Sequence, residues 1–196
     1  MEFDPSDYQQ LRVQETKIVG FYVIDLVVHG DSRGWFKENY QSEKMEAMGL
    51  PHFKIVQNNI SFNDQPGITR GLHAEPWDKF ISVAHGSVYG AWVDLRKGPD
   101  FGQVLELEIN PGKAVFVPRG VANGYQTQTP NTTYTYLVNG YWSSDTKYIA
   151  VNPFDPDLKI HWPINQKQAL LSDKDQLNPM LCDIQPLEFL WTRLTC

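Results

Sequence analysis

Cysteine is scarce in this chain, which has only Cys182 and Cys196 among its 196 residues. Both lie close to the last residue. Two cysteines in these positions cannot supply the disulfides that would stabilise a secreted fold. Neither has neighbours that indicate a catalytic thiol. The scarcity favours a reducing compartment, and we expect the protein to work in the cytoplasm.

Long apolar runs and an excess of positive charge are also missing. No apolar run approaches the roughly 20 residues that a membrane-spanning helix needs. Residues 1–14 are polar and acidic, unlike the basic and then apolar start of a secretion signal. The chain has 23 acidic residues against 17 lysines and arginines, a formal net charge of -6, which argues against a general nucleic-acid surface. We therefore expect neither a membrane nor a nucleic acid as a partner.

Hydrophobic residues make up 41% of the sequence, which is enough to bury one sizeable core. A chain of this length without repeats, low-complexity tracts or linkers is interpreted as a single domain, residues 1–196. Short β-branched and aromatic runs alternate with turn residues over much of its length. Many short strands at regular spacing predict an all-β sandwich or barrel.

The predicted elements follow from these runs and the turn residues between them. A helix is expected to begin at a Ser42 cap and to end before Gly49 and Pro51. Residues 29–34 are a predicted turn, and Asp155–Cys196 is a proline-punctuated, irregular tail with a short helix after Ser172. Strands are predicted at residues 18–28, 35–40, 53–62, 68–75, 79–84, 87–95, 103–109, 114–117 and 132–138.

Residues 70–79 concentrate charge inside this β-rich region, with an arginine, a histidine and a lysine. Side chains alternate between the two faces of a strand, so Arg70 and Leu72 share one face while Gly71 and His73 share the other. Neither face is suited to a core, which indicates that the segment surrounds something polar. The competing interpretation is that His73 is a satisfied buried histidine, as lone histidines more often are.

The pattern Gly112-x5-Pro118-x-Gly120-x2-Asn123 resembles the second motif of the cupin superfamily. Its last position is ordinarily a metal-binding histidine, and here it is asparagine. The first cupin motif needs a His-x-His pair, but His73 is followed by alanine and glutamate. Because imidazole nitrogens hold the metal of a cupin, their loss predicts a barrel without a metal. His73 is then free to accept a proton near neutral pH.

Six segments together resemble the dTDP-4-dehydrorhamnose 3,5-epimerase family, in the family's order, between about Val19 and Pro186. They are residues 31–38, 57–59, 70–73, 93–96, 116–125 and 171–175. Several motifs in order are far more specific than one glycine pattern. The resemblance implies an all-β cupin-type jelly roll, or double-stranded β-helix, with short peripheral helices. It also implies a homodimeric enzyme without cofactor that inverts C3 and C5 of dTDP-4-keto-6-deoxyglucose on the way to dTDP-L-rhamnose.

Four residues take catalytic roles by this resemblance. Inverting a carbon next to a ketone needs a base for the proton and a donor that stabilises the enolate oxygen. His73 would be the base and Asp175 the carboxylate that orients it. Lys79 would face the keto oxygen, and Tyr136 would deliver a proton to the opposite face of the sugar. Without the resemblance, Asp175 is as well explained as an exposed acid, Lys79 is more usually a solvated strand edge, and Tyr136 is commonly a half-buried tyrosine.

The same resemblance assigns binding residues by charge and shape. Forked guanidinium groups bind a diphosphate well, so Arg33 and Arg70 are candidates, with Lys174 as a third cation. Alternatively, Arg33 is a turn charge and Arg70 a strand-edge charge. The remaining candidates supply amide or carboxylate groups and a ring that stacks on thymine: Glu38, Gln57, Asn59, Asn123 and Trp142.

The sequence departs from the family's common pattern at several points. Asn123 stands in place of a histidine, Trp142 in place of a tyrosine and Lys147 in place of an acidic residue. The segment between His73 and Lys79 is shorter than in many members. Since the base and the acid are present, these changes bear on the nucleotide contacts more than on the reaction.

Two other functions stay open on the sequence. An enzyme of the same shape could invert a single carbon, or move the keto group, of a related dTDP-deoxysugar. A non-catalytic sugar-binding cupin would need only the arginines and stacking aromatics, and the presence of a base and an acid argues against it. In either case, a strand at about residues 14–28 could be exchanged across the two-fold interface of a dimer.

Overall fold

The computed structural model describes residues 3–188, so predictions for Met1, Glu2 and residues 189–196, including Cys196, lie outside the described residues. Within this range no helix has the length and apolar character needed to cross a membrane. The helices are α1 (Ser42–Ala47) and α2 (Asp173–Gln176), with 3₁₀ turns at Pro5–Asp7 and Leu181–Asp183. The strands are β1 (Arg12–Glu15), β2 (Tyr22–Asp25), β3 (Val28–Asp31), β4 (Gly34–Lys37), β5 (Gln57–Asn63), β6 (Thr69–Ala74), β7 (Lys79–His85), β8 (Val88–Asp94), β9 (Val104–Ile109), β10 (Lys113–Val117), β11 (Val121–Thr127), β12 (Thr132–Val138) and β13 (Ile149–Ala150).

These strands form two antiparallel sheets and a separate hairpin. One sheet has the order β1-β2-β10-β7-β12-β5 and the other the order β13-β6-β11-β8-β9, while β3 and β4 make the hairpin. Strands distant in the chain, such as β2 and β10 or β6 and β11, lie side by side, as in a jelly roll. The predicted all-β jelly roll with short helices is confirmed.

Inward-facing side chains fill the space between the sheets. Along β8, Val88 and Trp92 join the cluster between the sheets, whereas Ala91 and Val93 join a cluster on the outer side. This division follows from the alternation of side chains along a strand. Phe21 packs edge-on against Trp92 with ring centroids 5.1 Å apart, a geometry that adds about 1 kcal/mol beyond the buried area.

Helix α1 and the loop after it cover the outer face of the six-stranded sheet. Met45 and Phe53 pack there against Phe80 and Phe116. The predicted helix is confirmed, but its cap is not Ser42. The side chain of Gln41 accepts a hydrogen bond from the Lys44 amide at 2.5 Å and caps the helix instead.

The C-terminal tail covers the outer face of the other sheet. Leu158 and Ile184 are buried there, so the tail as far as residue 188 is irregular, as predicted, but firmly packed. The short helix predicted after Ser172 is confirmed as α2, and the Ser172 Oγ accepts a hydrogen bond from the Asp175 amide at 3.1 Å. The packing of the tail lays α2 against β6.

The predicted strand at residues 18–28 is wrong in its bounds. Gly20 has φ of 79° and the Phe21 amide donates to the Ile18 carbonyl at 3.0 Å. A turn therefore separates β1, which lies in the polar lead, from β2. The turn predicted at residues 29–34 is confirmed at residues 32–33, but residues 29–31 and 34 are paired in β3 and β4.

Strand β11 was missed because it contains Asn123-Gly124, a dipeptide that favours a turn. It nevertheless pairs with β6 on one side and with β8 on the other. Pairing on both sides outweighs the weak local preference. The two-residue strand β13, which pairs with β6, was also missed.

Strands β1 and β2 extend the sheet of their own chain, where Ile24 lies opposite Ala114. β1 and β5 are consequently the two edges of the six-stranded sheet. Edge strands expose unpaired backbone groups that a second chain can cover. Exchange of the N-terminal strand across a dimer stays a prediction.

Candidate active site

A cavity of about 490 Å³ lies among β6, β7, β11, β12 and the tail. Because these elements come from distant parts of the chain, the cavity collects residues that the sequence keeps far apart. It is lined by all four predicted catalytic residues, His73, Lys79, Tyr136 and Asp175, and by four of the predicted binding residues, Arg70, Asn123, Trp142 and Lys174.

His73 is held on β6 next to a point where two strands almost touch. Gly71 has φ of +112°, and a Cβ placed on it would lie 2.6 Å from both the Asn123 oxygen and the Gly124 Cα on β11. Any side chain at this position would push the two strands apart. Glycine therefore fixes the backbone from which His73 extends into the cavity.

Asp175 binds His73 directly, with 2.7 Å between its Oδ1 and the ring Nε2. Its Oδ2 accepts a hydrogen bond from the Gly71 amide at 3.4 Å. Burial alone would raise the pKa of the Asp175 carboxyl, but the hydrogen bond and the charge of His73, with the Gly71 amide, lower that pKa. Asp175 is thus a buried, ionised partner of the histidine, and its interpretation as an exposed acid is wrong.

Lys79 is also buried, so it is not a solvated strand edge. Its side chain is 4% exposed and its Nζ contacts the Oε2 of Glu75, which is 12% exposed. Both residues line the cavity. The cavity therefore contains an ammonium and a carboxylate that are shielded from bulk water and bound to each other.

Tyr136 lies on β12, between β7 and β5. Burial, and next the negative charge of Glu75, raise the pKa of its phenol to about 12. At neutral pH the phenol keeps its proton. A half-buried phenol that stays protonated can serve as a proton donor inside the cavity.

Two more tyrosines form the inner wall of the cavity. Tyr125 and Tyr134 stack with ring centroids 4.1 Å apart. The Tyr134 hydroxyl donates to the Oδ1 of Asn123 at 3.2 Å. Burial raises the pKa of Tyr134 well above its ordinary value, so this hydroxyl is a donor. The asparagine that stands where cupins have a metal ligand is bound to this tyrosine.

Tyr148 and Lys174 lie at the histidine side of the cavity. The Tyr148 ring packs on the His73 ring with centroids 5.1 Å apart. The Lys174 Nζ lies 2.5 Å from the Tyr148 hydroxyl oxygen and 4.5 Å from the centroid of its ring. Lys174 is exposed, so its charge is available at the mouth of the cavity.

The remaining binding candidates near the cavity form two groups. Arg70 donates from its Nε to the Oδ1 of Asn63 at 3.1 Å, which directs it toward β5. Gln57 accepts a hydrogen bond from the Trp142 amide at 3.1 Å and donates to Asn59 at 2.6 Å. The Trp142 ring is 56% exposed. Gln57 and Asn59 thus lie beside the loop of Trp142, although neither lines the cavity itself.

Arg33 and Glu38 do not reach the cavity of their own chain. The Arg33 side chain is 87% exposed and pairs with Asp31 on the hairpin, at 2.5 Å. Glu38 pairs with Lys44 of α1 at 2.5 Å. The prediction that these two residues join the site is therefore not met within one chain.

Between these residues, Lys37 ties the hairpin to the barrel. Its Nζ donates to the carbonyls of Val83 at 2.9 Å and Pro111 at 2.8 Å. Burial lowers the pKa of Lys37 to about 8. The hairpin that carries Arg33 is consequently fixed in place.

Glu75 and Tyr148 are functional candidates that sequence reasoning missed. Glu75 stands where a metal-binding cupin has histidine, and Tyr148 lies in a stretch without a motif. A signal existed for Glu75, since a carboxylate four residues before Lys79, across a tight loop, can pair with it. No comparable signal existed for Tyr148, because its neighbour His73 is distant in the sequence.

The described residues 3–188 contain no group of three or more His, Cys, Asp or Glu side chains arranged to hold a metal ion. At the two cupin positions where histidine is missing, the Glu75 carboxylate is paired with the Lys79 Nζ and the Asn123 oxygen accepts a hydrogen bond from Tyr134. The absence of a metal and of a cofactor stays a prediction.

A jelly roll whose cavity is lined by a paired histidine and carboxylate, a lysine and a tyrosine defines a cupin-type protein suited to proton transfer. The chain belongs to the dTDP-4-dehydrorhamnose 3,5-epimerase family, whose profile matches residues 15–183.

Curated relatives agree with this assignment. The chain is 50% identical over 179 residues to the protein RmlC homolog of Streptococcus pyogenes serotype M6, covering 88% of this chain and 90% of that protein. It is 30% identical to the dTDP-4-dehydrorhamnose 3,5-epimerase of Sinorhizobium fredii, covering 98% of each. It is also 30% identical to the dTDP-4-dehydrorhamnose 3-epimerase of Streptomyces niveus, covering 95% of this chain and 91% of that one.

A solved structure shows the same fold. RmlC from Streptococcus suis, in complex with dTDP-D-xylose, superposes with a TM-score of 0.87 at 48% sequence identity. The match covers 91% of this chain and 95% of that chain. The similarity thus extends over nearly the whole jelly roll.

Proposed function

We propose that the protein inverts C3 and C5 of dTDP-4-keto-6-deoxyglucose to give dTDP-4-keto-L-rhamnose, in the cytoplasmic synthesis of dTDP-L-rhamnose. The observation that carries the proposal is the 2.7 Å contact of His73 with the buried Asp175, in the cavity that also holds Lys79 and Tyr136. A sugar-binding module has no need of a base and an acid facing one cavity. The family assignment supports the same reaction.

His73 takes the proton from the carbon next to the ketone. An ionised carboxylate only accepts hydrogen bonds, so the Nε2 of His73 donates to Asp175 and the Nδ1 keeps its lone pair. Asp175 then stabilises the imidazolium that forms when Nδ1 takes the proton. The pKa of Asp175 is lowered, which keeps the carboxyl charged at neutral pH.

Lys79 and Tyr136 act on the enolate. The ammonium of Lys79 stabilises the negative charge that develops on the keto oxygen, in a position shielded from water. Tyr136, protonated because its pKa is about 12, returns a proton to the opposite face of the carbon. Removal on one face and return on the other inverts the centre.

The dTDP part of the substrate binds at the mouth of the cavity. Arg70 and Lys174 supply positive charge for the diphosphate. Trp142, which is more than half exposed, offers its indole for stacking on thymine. The relative solved with dTDP-D-xylose supports a ligand of this class.

The alternative of a single inverted carbon has support from the 3-epimerase of Streptomyces niveus, which is as similar as the 3,5-epimerase of Sinorhizobium fredii. Incubation with the 4-keto sugar in deuterated water separates the two reactions. We expect deuterium at two carbons, read by mass spectrometry and NMR. One labelled carbon would favour the single epimerase, and none, despite binding of the nucleotide sugar, would favour the binding module.

We further propose that two copies form a homodimer in which Arg33 and Glu38 serve the cavity of the partner copy. Arg33 is 87% exposed and does not line its own cavity, and it lies on a hairpin that Lys37 fixes to the barrel. Strand β5 is an edge of the six-stranded sheet and lies beside the cavity. Two apolar residues on it are largely exposed, Ile60 at 67% and Phe62 at 60%. Apolar side chains on an open edge strand are suited to burial by a second copy.

Mixed dimers test this arrangement. His73→Asn and Arg33→Ala chains, each of low activity alone, are co-expressed with different tags, and the mixed dimer is purified. If Arg33 acts across the interface, the mixed dimer contains one complete site and regains activity, since the intact His73 meets the intact arginine of the other chain. Light scattering checks the dimer. A mixed dimer no more active than either parent homodimer would place Arg33 in its own chain's site.

A further inference from the structure

The proposed reaction uses Lys79 but gives no role to Glu75, the residue with which Lys79 forms an ion pair. Both side chains are almost fully enclosed, at 4% and 12% exposed. A lone ammonium in such a place would favour its neutral form, because burial disfavours charge. A carboxylate in contact with it favours the charged form. Glu75 is the carboxylate that contacts it.

The loop between the two residues is held from its far end. Asp78 accepts hydrogen bonds from the Arg119 amide at 2.8 Å and from the Asn139 side chain at 2.8 Å. Asp78 in turn donates its own amide to Asn139 at 2.9 Å. Because β6 ends at Ala74 and the Asp78 anchor follows three residues after Glu75, the short loop that carries Glu75 is held at both ends beside Lys79.

Glu75 also acts on the second proton donor of the cavity. Burial and then its negative charge raise the pKa of Tyr136 to about 12. The other charged and titratable groups that line the cavity come from β6, β11, β12, the loop before β13 and the tail. They are Arg70 and His73, Tyr125 and Tyr134, and Tyr148, Lys174 and Asp175. Arg70 works in the opposite direction on Tyr136 and lowers its pKa.

We propose that Glu75 is a positioning residue that keeps both acids of the site, the Lys79 ammonium and the Tyr136 phenol, in their protonated forms. It neither takes nor gives a proton during the reaction. The catalytic value of these two protons rests on the proposed function. The effect of Glu75 on the protonation of Lys79 can be measured without any turnover of substrate.

The first test measures the protonation of Lys79 by chemistry. Acetic anhydride reacts with neutral amines, so the labelling of the Lys79 peptide, followed by mass spectrometry across pH, reports the loss of its proton. In Glu75→Gln the amide retains the shape of the side chain and removes the charge. We expect half-labelling of Lys79 to move to lower pH, because the buried amine loses the carboxylate that contacts it, while Lys174 provides an internal reference.

The second test measures how kcat depends on pH. In Glu75→Gln the alkaline limb of the kcat profile is expected to move to lower pH, because both acids lose protons earlier. Glu75→Asp, which retains the charge, is expected to keep the parental limb even if kcat falls. Glu43→Gln, an exposed acid on α1, controls for the loss of one charge. Near-ultraviolet circular dichroism checks the packing of each variant.

Parental labelling of Lys79 together with a parental alkaline limb in Glu75→Gln would overturn the role of Glu75. The labelling result stands whether or not the chain turns over the 4-keto sugar. A wild-type protein that fails to epimerise the sugar would instead overturn the proposed reaction, and a shifted labelling curve would then still support the Glu75 pair.

Discussion

Replacing His73 by asparagine is expected to abolish both inversion and hydrogen exchange at the sugar carbons. Asparagine can still accept a hydrogen bond but cannot hold a proton taken from carbon, so no enolate forms. Loss of a general base costs about 10²–10⁴-fold. The rate is measured from deuterium uptake by the sugar in deuterated buffer, which detects proton removal even when no product accumulates.

A matched control for this variant lies elsewhere on the surface. His161 is 82% exposed and binds Glu106 through its Nδ1 at 3.0 Å, so it too is a histidine beside a carboxylate. His161→Asn is expected to exchange and invert at the parental rate. Exchange at the parental rate in His73→Asn would mean that another group removes the proton.

Replacing Tyr136 by phenylalanine is expected to separate exchange from inversion. The enolate still forms, because His73, Asp175 and Lys79 are intact, and His73 returns the proton to the face from which it came. The sugar should thus gain deuterium with retained configuration at the carbon that depends on the tyrosine. We expect inversion there to fall by about 10²–10⁴-fold, measured by NMR of the sugar.

Tyr89 offers the matched control for Tyr136. Burial, with Glu106, raises the pKa of Tyr89 to about 12 as well, and its hydroxyl donates to Glu106 at 2.9 Å, away from the cavity. Tyr89→Phe should invert both carbons at the parental rate. If Tyr136→Phe also inverts at that rate, the returning proton must come from a different donor.

Most of the fold could be predicted from local sequence, because strand-forming runs and turn residues alternate regularly through β5–β10. The errors lie where pairing decides the outcome. β11 contains Asn123-Gly124 and forms a strand only because β6 and β8 flank it. The turn at Gly20 splits one apparent strand into β1 and β2. Backbone hydrogen bonds hold this turn, and the residue pattern did not predict them.

The site was predictable to the extent that its residues belong to recognisable motifs. His73, Lys79, Tyr136 and Asp175 do meet in one cavity. Tyr148 could not be found, because its contact with His73 depends on β13 pairing with β6. Arg33 belongs to a motif but does not line the cavity of its own chain, because a motif identifies a residue and not its place in the fold.

The tail packs on β6 but is synthesised after all the strands. This sets the order in which the parts of the site become available. Every strand of the two sheets is complete once Ala150 has been synthesised, whereas Asp175 follows later. A nascent chain can therefore close its barrel with the imidazole in place and without the carboxylate that orients it. The part of the cavity wall that the tail supplies, together with its carboxylate, therefore leaves the ribosome after the strands that line the rest of the cavity.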